Sequence, residues 1–189
     1  MSTSEHPSDS LELSFQEPSL VAETAHLRLR CFSEDDTDRL VAIFSDPEIM
    51  RFSLGGPRDR SWCRERLDAI LESYEKNGFG LWAVMVKSTS DADSYIGYCG
   101  LKRWSDLGGR AEVELGYRSL PSSWGNGYGT EAAMAARDVG FDRFRLRRLV
   151  SVIEPDNIGS WRIAEKIGMH LEGDLALDGK PVRVYAIER

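Results

Sequence analysis

The sequence predicts an α+β, or mixed α/β, domain built around one central sheet. Three observations lead to this prediction. The chain has 189 residues and is 41% hydrophobic, which is enough for one domain with a sizeable core. Strand-like runs and amphipathic segments follow one another in the order β-α-α-β-β-β-α-β-α-β. The three central strand-like runs are joined by polar, turn-rich connections, which favour an antiparallel meander.

One strand and two helices precede this meander. Leu27–Phe32 alternates apolar and polar residues with the period of a strand. Ser33 is a favourable N-cap for a first helix, which meets a break at residues 46–47. A second helix is predicted from about residue 59, because an apolar stripe begins at Cys63 and ends at a left-handed stop at residues 77–78.

The predicted meander comprises Leu81–Lys87, Tyr95–Leu101 and Ala111–Arg118. A glycine-rich loop then leads into an Ala-rich segment with helical character. The remaining predicted elements are a helix from Thr130 to about Phe144, a strand at Leu149–Ile153, a helix between Asn157 and Gly168, and a last strand at Val182–Ala186.

Composition limits the function classes. Residues 1–20 are Ser- and Glu-rich and are expected to be a disordered tail without the apolar core of a signal peptide, so the domain is expected over residues 21–189. No stretch reaches the ~20 apolar residues of a membrane helix. The formal charge of −7 argues against a general nucleic-acid binder and suits either a cationic substrate or simple solubility. We expect a cytoplasmic protein that contacts neither nucleic acid nor membrane.

The strongest local signal is the segment Ser123–Ala132, with glycines at positions 125, 127 and 129. Glycines at alternate positions let the backbone turn sharply and bring N–H groups to one point. The helix that follows adds its own unpaired amides and its dipole. The segment therefore predicts a pyrophosphate site, with an ordinary flexible turn before a helix as the alternative. Its spacing matches neither the Walker loop nor the dinucleotide-binding fingerprint.

Trp124–Gly129 resembles the coenzyme A loop of the GNAT superfamily of N-acetyltransferases, usually written Gln/Arg-x-x-Gly-x-Gly/Ala. Gly127 and Gly129 occupy its glycine positions, and Trp-Gly-x-Gly-Tyr is typical of the ribosomal-protein N-terminal (RimJ/RimL-type) branch. Val113–Tyr117 upstream and Asn157–Met169 downstream are similar to two further motifs of that branch. The resemblance covers about residues 24–188.

The resemblance implies a GNAT-like acyl-CoA N-acyltransferase fold, with one mostly antiparallel sheet, a splayed parallel strand pair and helices on both faces. A bulged strand, here Ala111–Arg118, splays from Leu149–Ile153, and the gap accepts the pantetheine arm of acetyl-CoA, the implied cosubstrate. For Asn157, a helix N-cap is the alternative role. The implied coenzyme-binding residues are Tyr117, Arg118, Ser119, Trp124, Gly125, Asn126, Gly127, Tyr128, Gly129, Thr130, Asn157 and Ser160.

The catalytic residues depart from the family pattern. Many members carry an acidic Tyr at the position of Ala164, and some carry a Glu at the position of Val152. Ser160 is the implied proton donor to the leaving thiolate, with a purely local hydrogen bond as the alternative. Because an amine must lose a proton before it attacks a thioester, Glu114 and Glu112, which share one face of a strand, are the candidate bases. Glu114 lies nearer the expected coenzyme arm, and solvent-facing carboxylates are the alternative for both.

The sequence thus predicts acetyl transfer from acetyl-CoA to a primary amine by direct attack in a ternary complex. The acceptor is a protein N-terminal α-amine or a small-molecule amine such as a polyamine, an antibiotic or a metabolite. A non-catalytic acyl-CoA-binding module is the second hypothesis, because both family acids are missing. Residues 51–57, the second helix and the last strands are expected to form the acceptor pocket. Trp62, Trp104 and Trp161 are candidates to line it, with ordinary packing as the default role for each. We expect no metal, because no His has a partner at ligand spacing, and a homodimer.

Overall fold

The computed structural model describes residues 19–89 and 92–189, and the strands of this part form one sheet. The strands are β1 (Leu20–Glu23), β2 (Leu27–Cys31), β3 (Leu81–Val86), β4 (Ser94–Leu107), β5 (Arg110–Ser119), β6 (Arg148–Ile153), β7 (His170–Leu177) and β8 (Lys180–Glu188). The α-helices are α1 (Thr37–Phe44), α2 (Pro47–Met50), α3 (Arg60–Asn77), α4 (Tyr128–Asp138) and α5 (Ile158–Lys166).

The strand order in the sheet is β1-β2-β3-β4-β5-β6-β8-β7. Every neighbouring pair is antiparallel except β5 and β6, which are parallel. The β3–β4–β5 meander is confirmed, and so is the mixed α/β sheet with a single parallel pair in its middle. Over the described residues, no helix is long and apolar enough to cross a membrane.

Helices cover both faces of the sheet, so strand β3 is buried on both sides. Trp82 and Val84 join the core beneath α4 and α5. Leu81, Ala83 and Met85 point the other way, into the core beneath α1 and α3. The period-2 alternation of a strand therefore divides one hydrophobic run between two cores.

Helix α4 is fixed to the start of the sheet by a carboxylate in its first turn. Glu131 accepts hydrogen bonds from the Thr24 hydroxyl at 2.6 Å and from the His26 backbone N–H at 2.8 Å. The two contacts join residues more than 100 positions apart. They hold the N-terminal end of α4, and with it the glycine-rich loop, against the β1–β2 turn.

The sequence did not reveal strands β1 and β7 or helix α2, and it misplaced the end of helix α4. Residues 1–18 of the expected tail lie outside the described residues, and its last residue, Leu20, begins strand β1. β7 is an almost wholly exposed edge strand, so it lacks the apolar alternation that marks a half-buried strand. The expected break at residues 46–47 is instead the start of α2, where Asp46 caps the amides of Glu48 and Ile49. The helix predicted to about Phe144 ends as α4 at Asp138 and continues as a π-helical turn, Val139–Arg143.

Candidate active site

A cleft of about 760 Å³ opens where β5 and β6 diverge. These strands share one register pair, Glu114 with Val150. Two contacts hold them together beside this pair: Ser151 donates its hydroxyl to the Leu115 carbonyl at 2.7 Å, and Arg148 pairs with the Glu112 carboxylate at 3.1 Å. Beyond these contacts the strands separate, and the expected splayed pair is present.

The edge of β5 that faces the cleft presents free backbone groups. Leu115 directs its carbonyl towards β6, and residues two apart on a strand direct their backbone groups to the same side. The N–H and C=O groups of Tyr117 therefore face the cleft without a strand partner. The implied bulge is not seen in the pairing of β5 with β4, which runs in unbroken register from Glu112 to Ser119. The irregularities of that region lie in β4 instead.

The glycine-rich loop presents a run of free amides at one end of the cleft. Gly125 and Gly127 have φ values of +79° and +82°, in the left-handed region that glycine adopts without steric cost. None of the hydrogen bonds within the described residues uses the backbone N–H groups of residues 125–129. Five consecutive amides at a helix N-terminus form a concave donor surface suited to a diphosphate. An ordinary capping turn would leave fewer of them unpaired.

The side chains of the loop stabilise its shape. The Trp124 indole donates to the Ser119 carbonyl at 3.0 Å, tying the loop to the end of β5. The Asn126 amide donates to the Ser123 and Trp124 carbonyls at 3.2 Å. Asn126 is therefore directed into the loop, and it is not among the residues that line the cleft.

The N-terminal end of α5 forms the opposite wall. The Asn157 side chain caps this helix by accepting from the Ser160 N–H at 3.2 Å, so the capping role is present. The Ser160 hydroxyl, in contrast, makes no hydrogen bond within the described part of the chain, although its residue lines the cleft. Tyr117 crosses from β5 and donates its hydroxyl to the Ser160 carbonyl at 2.7 Å. Burial raises the pKa of Tyr117 far above its ordinary value, so the phenol stays a donor.

Glu114 lines the cleft on the face of β5 opposite α4 and α5. Its Oε2 accepts a hydrogen bond from the Trp104 indole at 2.8 Å and lies 3.9 Å from the Lys102 ammonium. The side chain is 17% exposed. Burial lowers the pKa of Lys102, and the charge of Glu114 opposes that shift. The carboxylate is thus held through one oxygen, which leaves Oε1 for a ligand.

Glu112 does not share this setting. It is 8% exposed and is paired with Arg148, which also contacts Glu172 and Glu188. Glu112 does not line the cleft. The expectation of a solvent-facing carboxylate is wrong for this residue, because an arginine 36 positions later turns it into a buried ion pair. Its placement gives no support to a role as base.

The cleft brings together nearly all the other predicted residues. Of the elements expected to form the acceptor pocket, residues 51–57 contribute Arg51 and Phe52 to the cleft. No residue of α3, β7 or β8 lines it. Ser151 was not predicted, because a lone serine in a β-branched strand carries no local signal. None of the tryptophans at 62, 104 and 161 lines the cleft. The predicted residues that do are Glu114, Tyr117, Arg118, Ser119, Trp124, Gly125, Gly127, Tyr128, Gly129, Thr130, Asn157 and Ser160.

The sheet with one splayed parallel pair, followed by a glycine-rich amide loop, defines an acyl-CoA N-acyltransferase type of fold. The sequence matches the acetyltransferase (GNAT) domain family over residues 26–170, and the chain belongs to this family. It is 33% identical over 163 residues to the uncharacterized protein YkkB of Bacillus subtilis (strain 168), which covers 86% of this chain and 92% of YkkB. The chain is therefore an acyltransferase, and its family uses acetyl-CoA.

Solved structures agree with this assignment. The acetyltransferase from Agrobacterium tumefaciens str. C58 superposes with a TM-score of 0.76 at 29% identity, over 94% of this chain and 98% of that protein. RimL, a ribosomal L7/L12 alpha-N-protein acetyltransferase in complex with coenzyme A, gives a TM-score of 0.73 at 18% identity, over 90% and 98% of the two chains. At that identity the likeness to RimL establishes the fold.

Proposed function

We propose that this protein transfers the acetyl group of acetyl-CoA to a primary amine within a ternary complex formed in the β5–β6 cleft. One observation carries the proposal. The free amides of residues 125–129 continue into the unpaired edge of β5 at Tyr117. This surface matches a ligand with a diphosphate at one end and an amide-rich arm behind it.

The residues present fit that ligand. Gly127 lines the cleft, and a side chain built on it would meet no atom within 4 Å, so the space beside its backbone is open. In this proposal the amides of the loop bind the diphosphate, and the backbone of Tyr117 to Ser119 binds the arm. When bound, acetyl-CoA supplies an acetyl group activated as a thioester.

Two side chains of the cleft carry out the two proton transfers of the reaction. Glu114 accepts the proton of the attacking amine, because its Oε1 is the carboxylate oxygen that no contact with Trp104 or Lys102 occupies. Ser160 relays a proton to the departing thiolate and regains one from solvent, because its hydroxyl has no competing partner. Ala164 has only a methyl group, buried in the core, so it cannot donate this proton.

For the acceptor we propose an α-amine at a peptide N-terminus. An α-amine has a pKa near ~8, whereas a lysine amine lies near ~10.4, so more of the α-amine is neutral near pH 7. The Trp-Gly-x-Gly-Tyr loop, typical of the RimJ/RimL-type branch, supports this choice. So does the likeness to RimL, a ribosomal L7/L12 alpha-N-protein acetyltransferase. A small-molecule amine is the second candidate, and Arg51 and Phe52, which line the cleft, would contact either kind of acceptor.

The test combines two measurements on the purified chain. Release of free coenzyme A thiol is followed with acetyl-CoA and a panel of peptides and small amines, and mass spectrometry identifies the acetylated atom. Acetylation of peptide α-amines in preference to lysine side chains is the expected result. Thiol release at the rate of the amine-free blank with every acceptor would refute acetyl transfer, whereas turnover confined to small amines would refute the peptide acceptor alone.

A further inference from the structure

Arg118 is a half-buried cation without a carboxylate partner. Two half-buried arginines elsewhere in the chain are paired, Arg30 with Asp36 and Arg148 with three glutamates. Among the half-buried arginines of the described residues, Arg118 is the one that lines the cleft. Among the described residues, no carboxylate lies within ion-pair distance of the Arg118 guanidinium. Its contacts are the Met50 sulfur at 2.6 Å and the Phe44 ring at 5.5 Å. A guanidinium that has lost part of its hydration is stabilised by an anionic partner, and neither contact supplies one.

This arginine faces the proposed amine site. Residues 114, 116 and 118 lie on one face of β5 because strand side chains alternate, and all three line the cleft. Gly116 has no side chain, and a Cβ built on it would lie 3.8 Å from Glu114 Oε1. Between the carboxylate of Glu114 and the guanidinium of Arg118 there is therefore an open strip of backbone that an acceptor can occupy.

The charges around this strip are predominantly positive. Lys102 lies beside Glu114. Beyond the effect of burial, the charge of Arg66 of α3 lowers the pKa of Lys102 and opposes the raised pKa of Tyr98. Burial raises the pKa of Tyr98, Arg118 and Arg66 oppose that rise, and Glu114 adds to it. Lys102 and Arg118 thus lie at the two ends of the strip, with Arg66 near them, against the single carboxylate of Glu114. On the rim of the cleft, the exposed Glu48 and Arg51 offset each other.

We propose that Arg118 binds an anionic group of the acceptor, so the preferred acceptors are primary amines that carry a carboxylate or phosphate. This inference rests on the proposed acetyl transfer. The Cα atoms of residues 114 and 118 are separated by four strand steps, ~13 Å. An amine at Glu114 and an anion at Arg118 therefore suit a peptide whose acidic side chain follows the α-amine by roughly two residues. The formal charge of −7 suggested a cationic substrate, but the local charges of the strip favour the opposite.

The test compares acceptors that differ only in one charge. The peptide pair is Ser-Ala-Glu-Ala-amide and Ser-Ala-Gln-Ala-amide, and the small-molecule pair is ε-aminocaproate and its amide, so the two arms separate a peptide acid from a small acid. The wild-type protein should acetylate the anionic member with a kcat/KM higher by roughly 10-fold to 100-fold, as expected for one charge-assisted hydrogen bond in a partly buried site. The preference should appear mainly in KM.

Three variants assign that preference. Arg118→Gln should abolish it, and Arg118→Lys should retain part of it. Arg103→Gln is the control, because Arg103 also stacks on a ring, that of Phe79 at 5.6 Å, but lies outside the cleft. Acetyl-CoA affinity by calorimetry and the melting temperature are measured for each variant.

An unchanged preference in a folded Arg118→Gln protein would overturn the inference while leaving acetyl transfer intact. A loss of acetyl-CoA affinity equal to the loss of kcat/KM would overturn it too, because the arginine would then serve the coenzyme. If the protein acetylates none of these four acceptors and no neutral amine, acetyl transfer itself is refuted, and the inference with it.

Discussion

Replacing Gly127 with Glu tests the coenzyme loop directly. Gly127 has a φ of +82°, and a side chain there meets no protein atom within 4 Å. The only cost to the fold is the left-handed backbone, about 1–2 kcal/mol for a non-glycine residue. The cost to coenzyme binding is larger. A carboxylate about 4 Å from one phosphate charge is repelled by ~4 kcal/mol at an effective dielectric constant of ~20, which weakens binding by about 1000-fold.

Gly109 provides the matched control. It has a φ of +87° and equally open surroundings, but it lies in the β4–β5 turn, outside the cleft. Gly109→Glu and Gly127→Glu should therefore lower the melting temperature by similar amounts, about 2–8 °C for 1–2 kcal/mol in a chain of this size. Only Gly127→Glu should lose acetyl-CoA. Gly127→Ala adds the backbone cost without the charge, so its loss of affinity should be smaller.

The assay is titration calorimetry with acetyl-CoA in the absence of any amine, together with a thermal melt of each variant. A folded Gly127→Glu protein that binds acetyl-CoA as tightly as wild type would show that the loop does not hold the diphosphate. Equal losses of affinity in Gly127→Glu and Gly109→Glu would show that the effect comes from general destabilisation.

Four further predictions concern the proposed catalytic carboxylate, two ion pairs and metals. Glu114→Gln should bind acetyl-CoA normally but turn over ~100-fold to ~10,000-fold more slowly near neutral pH, and the deficit should narrow at high pH, where the amine is already neutral; a wild-type rate at every pH would disprove the role. Glu112→Gln leaves Arg148 without its most buried partner. The free energy of unfolding measured in urea should therefore fall by about 1–3 kcal/mol, while the rate of acetyl transfer per folded molecule should stay unchanged. Burial raises the pKa of Asp36, but hydrogen bonds and charge from Arg30 outweigh this effect, so the pKa is lowered. The ionised carboxylate therefore stabilises the folded state above the unfolded pKa of ~3.9, and this contribution is lost as the pH falls through the folded pKa. Asp36→Asn should accordingly make the free energy of unfolding depend less on pH in the acid range. The described residues contain no cluster of three or more potential metal ligands, so EDTA should not change turnover, and a loss restored by a divalent ion would contradict this.

The fold was predictable wherever the signal is local. The strand alternation at Leu27–Phe32 and the β3–β4–β5 meander appear in the sequence as periods of two residues. The helix stop at Gly78 is a left-handed cap with a φ of +76°. Strand β7 escaped detection because it is exposed on nearly every residue. A strand that buries only Leu175 and Leu177, and those partly, leaves too little hydrophobic pattern to detect, and its pairing with β8 reveals it.

The candidate site likewise has features that are predictable from local sequence and features that depend on tertiary contacts. The glycine-rich loop was predictable from local sequence, because glycine adopts the positive φ angles found at Gly125 and Gly127 without steric cost. Only the tertiary structure separated Glu114 from Glu112, which look equivalent two positions apart on one strand. Glu112 is paired with an arginine 36 positions later, and Arg118 meets a methionine 68 positions earlier instead of a carboxylate. Such partners are chosen by how the chain packs, and packing brings together residues whose distance along the sequence carries no information about their distance in space.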